Sequence, residues 1–286
     1  MIQAASIRAI EAELRTLSEA AALPGEPTTL RTRVLTHIAW VPPEWEQAAR
    51  RVLDGLGDRH PSRTILLLPD PASDRDELDA DVDLRCFVQG GPNRSVCSEV
   101  VTIWLRGRTA AAPASVVQPL LVSDLPVFLR WRGPLPFGEP QLEQLLEVVD
   151  RLVVDSSEWP GPEAGDRRLA SLLDRVIVSD MAWARIEPWR RALAALWPGV
   201  ADAERLAVRG PRADGVLLAH WLGARLRRCV DLERVDADAI DEVCVDGARV
   251  DADRPPPATP SAQLSDQLEI FSRDRIYEET VRSFGG

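Results

Sequence analysis

Lysine is missing from this 286-residue chain; all 34 of its basic side chains are arginine. Schiff-base enzymes, pyridoxal-phosphate enzymes and Walker A nucleotide sites each depend on a lysine amine, so all three are excluded before any fold is drawn. Histidine is scarce too. None of the three, His37, His60 and His220, stands beside a Cys, Ser or Asp at a catalytic spacing, and His220 adjoins Trp221 in an apolar stretch where packing is the commoner role. The four cysteines, Cys86, Cys97, Cys229 and Cys244, form no C-x-x-C pair and no Cys/His ligand cluster, which argues against a metal. No G-x-G-x-x-G follows a strand, so no nucleotide cofactor is expected. No apolar run approaches the roughly 20 residues that cross a bilayer. The opening MIQAASIRAIEAELRTL is polar and amphipathic. The expectation is a cytoplasmic protein without membrane contact, whose cysteines default to free thiols. Positive charge is also in deficit: the net charge is −11, the pI is near 4.9, and basic runs stop at doublets such as Arg227-Arg228. A phosphate backbone would be repelled, and nucleic acid is set aside as a partner.

What is present is the material of a soluble globular protein: 45% hydrophobic and 28% charged residues, in a chain long enough for one large or two ordinary domains. Ile7, Ile10, Leu14 and Leu17 recur at steps of three and four and predict a helix over 2–21 that stops at Pro24-Gly25. A second helix is expected over 45–56 and a buried strand over 63–68 (RTILLL). The alternating runs 82–88 and 95–107 read as two strands joined by a QGGPNR turn. From Thr109 helical and strand-like stretches take turns: helix to Val122, strand 127–131, helix 139–149, strand 151–155, helix 167–173, strand 175–179, helix 181–197, strand 204–209, helix 213–228 and a β-like piece at 240–250. This rhythm predicts an α/β fold, with helices packed on a mostly parallel or mixed sheet, a second smaller α/β domain and a C-terminal helix. The expected divisions are an N-terminal amphipathic helix (1–28), an α/β domain (29–165), a shortened α/β domain (166–250), a Pro-rich linker (251–263) and a C-terminal helix (264–286).

Two stretches just past strands gather hydroxyls, acids and tryptophan: RLVVDSSEW, with Asp155, Ser156, Ser157 and Trp159, and RVIVSDMAW, with Ser179, Asp180 and Trp183. Ligands of open α/β sheets collect at such ends. One reading is a recognition surface; the other is ordinary helix N-capping by Ser and Asp. Nine tryptophans stand against one tyrosine, several of them beside arginine: Trp131 with Arg132, Trp183 with Arg185, Trp189 with Arg190. Trp and Arg are the residues of interface hot spots, although a tryptophan also fills a core well. If 82–88 and 95–107 pair about Gly91-Pro92, Cys86 and Cys97 fall opposite each other, within reach of a reversible disulfide.

Six ordered strings carry a resemblance: HPSRTILL (60–67), CSEVVTIWLRG (97–107), PASVVQPLLVSDLPVFLRWRG (113–133), RLVVDSSEW (151–159), SDMAWARIEPWRRALAALW (179–197) and RDRIYEETV (273–281). Together they resemble the OpcA family. The resemblance implies a protein without chemistry of its own that binds glucose-6-phosphate dehydrogenase, an enzyme of the oxidative pentose phosphate pathway, and acts as its assembly factor or allosteric activator. The residues themselves leave one alternative open, a small-molecule or sugar-phosphate-binding α/β enzyme working through Asp155 and Asp180.

Overall fold

The computed structural model describes residues 1–20, 33–56, 59–88, 95–253 and 258–284. The expected stop at Pro24-Gly25 and the QGGPNR turn lie outside them. In chain order the elements are α1 (Ile7–Ala20), β1 (Leu35–Trp40), α2 (Glu46–Asp54), β2 (Ser62–Asp70), β3 (Leu78–Val88), β4 (Ser95–Arg106), α3 (Pro113–Val117) and β5 (Val127–Trp131). There follow α4 (Pro140–Leu146), β6 (Arg151–Val154), α5 (Pro162–Leu169), β7 (Ile177–Asp180), α6 (Met181–Arg185), α7 (Glu187–Ala195) and β8 (Arg205–Arg209). The last are α8 (Arg212–Leu226), β9 (Asp231–Val235), β10 (Glu242–Val245), β11 (Ala248–Arg249), α9 (Pro260–Leu268) and α10 (Arg275–Ser283). The fold is α/β, with a mixed seven-stranded sheet and a separate four-stranded one. The chain forms two compact units: Met1–Val153 with Thr259–Ile270, and Val154–Ala258 with Phe271–Gly286.

In the first unit the strands run in the order β3-β4-β2-β1-β5-β6. β1 is parallel to β2 and β5, β2 to β4, and β5 to β6, while β3 alone is antiparallel, to β4. Interior parallel strands are covered on both faces and so read as unbroken apolar runs. β2 obeys this rule and is legible as RTILLL. β1 does not: its six residues, LTHIAW, are all buried, but Thr36 and His37 hide the run, and the sequence reading passes over a central strand. The register sets Trp40 opposite Trp131, and their rings stack at 4.8 Å. Cys86 falls opposite Cys97 in the β3/β4 ladder, and the two are joined by a disulfide. The default of free thiols is thus corrected for this pair; Cys229 and Cys244 remain free. α9 returns to this unit, where the Ser265 hydroxyl meets His60 Nε2 at 2.7 Å.

The second unit holds β7, α5 to α8, α10 and the small sheet β11-β10-β8-β9, in which β8 is parallel to β9 and antiparallel to β10. α8 is apolar on most of its circumference and is correspondingly buried. Three expected helices are subdivided, each for a local reason. Pro188 restarts the 181–197 stretch as α7. Pro113 and Pro119 break 109–122 into short α and 3-10 turns. Asp274 caps a new helix, α10, so that the C-terminal helix is two, α9 and α10. β9 was not anticipated either: its polar sequence DLERV has alternating burial without full cover.

Candidate functional site

Asp155 immediately follows β6 and Asp180 closes β7, so two carboxylates stand at strand carboxyl ends within the second unit. Each begins a helical turn. The Asp155 side chain accepts from the Ser157 N–H at 3.2 Å and from the Ser157 hydroxyl at 2.6 Å. Asp180 Oδ1 accepts from the Ala182 N–H at 2.8 Å and the Ser156 N–H at 3.1 Å. The capping reading of these acids is therefore fulfilled, and one further group ties them to the rest of the unit.

That group is Arg185, at the end of α6. Its Nη1 and Nη2 donate to the two oxygens of Asp155, both at 3.0 Å, while Nη2 and Nε reach Asp214 of α8 at 3.0 and 3.3 Å. Burial alone would lower the guanidinium's pKa, but the two carboxylates outweigh it and hold the charge firmly. Asp214 is 2% exposed, and burial lifts its carboxyl above the ordinary range against the pull of Arg185. Asp180 has no such cation. Burial first, and then the charge of Asp155, push it up to about 6. Its Oδ2 has no hydrogen-bond partner among the described residues, nor has the Ser156 hydroxyl. Tyr277 of α10 faces Asp180 without closing a hydrogen bond of ordinary geometry, and burial followed by the charges of Asp180, Asp166 and Asp274 raises its pKa well above normal.

The tryptophans expected at a surface are mostly interior. Trp131, Trp159, Trp183 and Trp189 are 2, 7, 5 and 4% exposed. Trp183 donates from Nε1 to Asp274 at 2.7 Å and carries the Arg190 guanidinium 3.6 Å above its ring. Burial lowers the Arg190 pKa to about 10. Arg132 lies over Trp45 at 4.7 Å in the first unit. Asp155, Ser156 and Ser179 are buried, Arg132, Arg185 and Arg190 are half-buried, and Ser157 is exposed. Cys86 is exposed and Cys97 half-buried. Sequence reasoning missed Asp214 and Tyr277, which lie far along the chain, and Trp197, which is 65% exposed. Trp197 had a signal: it follows the apolar run ALAAL and precedes Pro198-Gly199, at a helix end. Among the described residues no group of three or more His, Cys, Asp or Glu could hold a metal ion, and no helix is long and apolar enough to cross a membrane.

This is a two-unit α/β protein whose polar cluster is an ion network organised by one arginine. Residues 54–185 match the family described as "Glucose-6-phosphate dehydrogenase subunit N-terminal domain". Over this stretch the chain is similar to the OpcA family. A curated relative from Synechocystis, "Putative OxPP cycle protein OpcA", is 29% identical over 122 residues, which are 42% of this chain. The aligned stretch is a quarter of that relative's length.

Proposed function

We propose that this chain is a non-catalytic partner of glucose-6-phosphate dehydrogenase in the cytoplasm, binding the enzyme and favouring its assembly or its active state. The observation that carries this reading is the match of residues 54–185 to a domain described by that enzyme's name. The lack of lysine and of a glycine-rich phosphate loop is compatible with a task done by contact. An activator of this kind works by binding the active arrangement better than the inactive one; couplings of about 1–3 kcal/mol change affinity by about 5- to 150-fold. We assign the contact to accessible groups of the second unit, Ser157, Arg190 and Trp197. Trp183, buried beneath Arg190, serves as its support. The test mixes the purified chain with the dehydrogenase of the same organism, follows co-elution on a sizing column and measures half-saturation by glucose 6-phosphate. A complex with a lowered half-saturation or a changed oligomer supports the reading; separate elution with unchanged kinetics removes it.

One observation favours the enzyme alternative: Asp180, raised to about 6, beside a second carboxylate. Against it, Asp155 is held on both oxygens by Arg185, and Asp180 is 1% exposed with two backbone amides on Oδ1. Incubation of the isolated chain with sugar phosphates discriminates, because turnover without the dehydrogenase belongs to the alternative alone.

A further inference from the structure

In a chain of net charge −11, three arginines converge on one cavity of the first unit. The cavity holds about 180 Å³ and is lined by Glu11, Arg15 and Ser18 of α1, Arg33 ahead of β1, Arg63 of β2 and Glu99 of β4. Glu99, 3% exposed, organises two of the arginines. One of its oxygens accepts from Arg63 Nε at 2.7 Å and the other from Arg33 Nη2. Arg63 is 8% exposed, and its Nη1 donates to the Leu120 carbonyl at 2.8 Å. Its Nη2 has no protein acceptor among the described residues. A buried carboxylate therefore holds two guanidiniums in place while donors remain unspent, which is the preorganisation that oxyanion recognition needs.

Arg15 is independent of that pair. Its i,i+4 neighbour on α1, Glu11, would be the natural ion partner, but among the described residues Arg15 makes no ion pair. Ser18 is 4% exposed, and its hydroxyl has no hydrogen-bond partner among the described residues. We propose that this cavity binds a small phosphate-bearing anion, either inorganic phosphate or the phosphate group of a small ester, through Arg15, Arg33, Arg63 and Ser18. Three guanidiniums oppose two carboxylates, and both oxygens of Glu99 are already turned to arginine, so the open donors face little competition. Pockets for drug-sized ligands run to about 300–1,000 Å³; this one is smaller, a size suited to a phosphate group.

The proposal is separate from the partner assignment, since its test needs no dehydrogenase. The full chain is titrated with inorganic phosphate, a hexose 6-phosphate and the uncharged hexose, read by calorimetry and by the thermal midpoint. Phosphate should bind at millimolar concentration or better, and the uncharged hexose should not. Tighter binding of the ester assigns the site to an ester, and equal binding to the free anion. Arg15→Gln, on an exposed helix position, should weaken binding about tenfold with the ligand-free midpoint unchanged. No binding of either phosphate, or an Arg15→Gln variant that binds as the parent does, overturns the proposal.

Discussion

Asp180 and His37 are buried titratable groups whose protons act on stability in opposite directions. His37, on β1, has both ring nitrogens without partners among the described residues; burial first, then the charges of Arg130 and His60, lower its pKa from 6.5 to about 3. As pH falls below 6.5 the unfolded chain takes a proton that the folded site refuses, and stability declines until about pH 3. Asp180 is raised from 3.8 to about 6. Between those values the folded state keeps a proton that the unfolded chain has released, so stability grows as pH falls through 6 toward 3.8. Above 6 the buried charge carries its full cost, about 3 kcal/mol. The two slopes, each about 1.4 kcal/mol per pH unit, offset one another between pH 6 and 4. Asp180→Asn keeps an oxygen for the Ser156 and Ala182 amides and removes the charge. Urea unfolding should show it more stable than the parent by about 1–3 kcal/mol at pH 7.5, with that advantage shrinking as pH falls to 4. An advantage independent of pH would mean that the carboxyl does not titrate as described. The capping role of Asp180 is legible from Ser179-Asp180 preceding a helical run; its isolation from any cation is not, because that depends on Arg185 turning to Asp155 and Asp214.

The β3/β4 hairpin and α5 show how elements are held. The disulfide closes a separation of 11 residues, for which loop-closure entropy gives about 2–3 kcal/mol. Ladder pairs flank it, Arg85 with Ser98 and Phe87 with Val96, so replacing both cysteines with serine should lower unfolding free energy by that amount and leave far-UV circular dichroism unchanged. A variant of parental stability would show that the bond adds nothing to the hairpin. In α5 a Cβ on Gly165 would run into the indole of Trp159 at Cε3 and Cζ3. Gly→Ala in a helix ordinarily stabilises by about 0.5–1 kcal/mol. Here Gly165→Ala should instead cost about 1–3 kcal/mol by overpacking, read from its thermal midpoint. Periodicity exposed most elements, including the opposition of Cys86 and Cys97, because alternation and turn residues are local. It failed at β1 and β9, where polar residues break the pattern and only neighbouring strands make them strands.

For the molecule as a whole, Trp197 is the large aromatic left most exposed among the nine, and aromatic anchors dominate interfaces. Trp197→Ala should therefore leave the thermal midpoint within about 1 °C, since surface changes cost little, while weakening co-elution with the dehydrogenase at least tenfold; undiminished binding would move the contact elsewhere. Composition by itself determined that no lysine amine can take part in this protein's work, and the α/β order of its elements followed from hydrophobic period and turn residues. The tertiary structure alone decided that Trp131, Trp159, Trp183 and Trp189 go inside, and that Arg185 joins aspartates 30 and 29 residues away. It also decided that arginines of α1 and β2 meet at one cavity. The physical reason is range: periodicity and capping act over a few residues, whereas burial and charge pairing are set by the path of the chain through space.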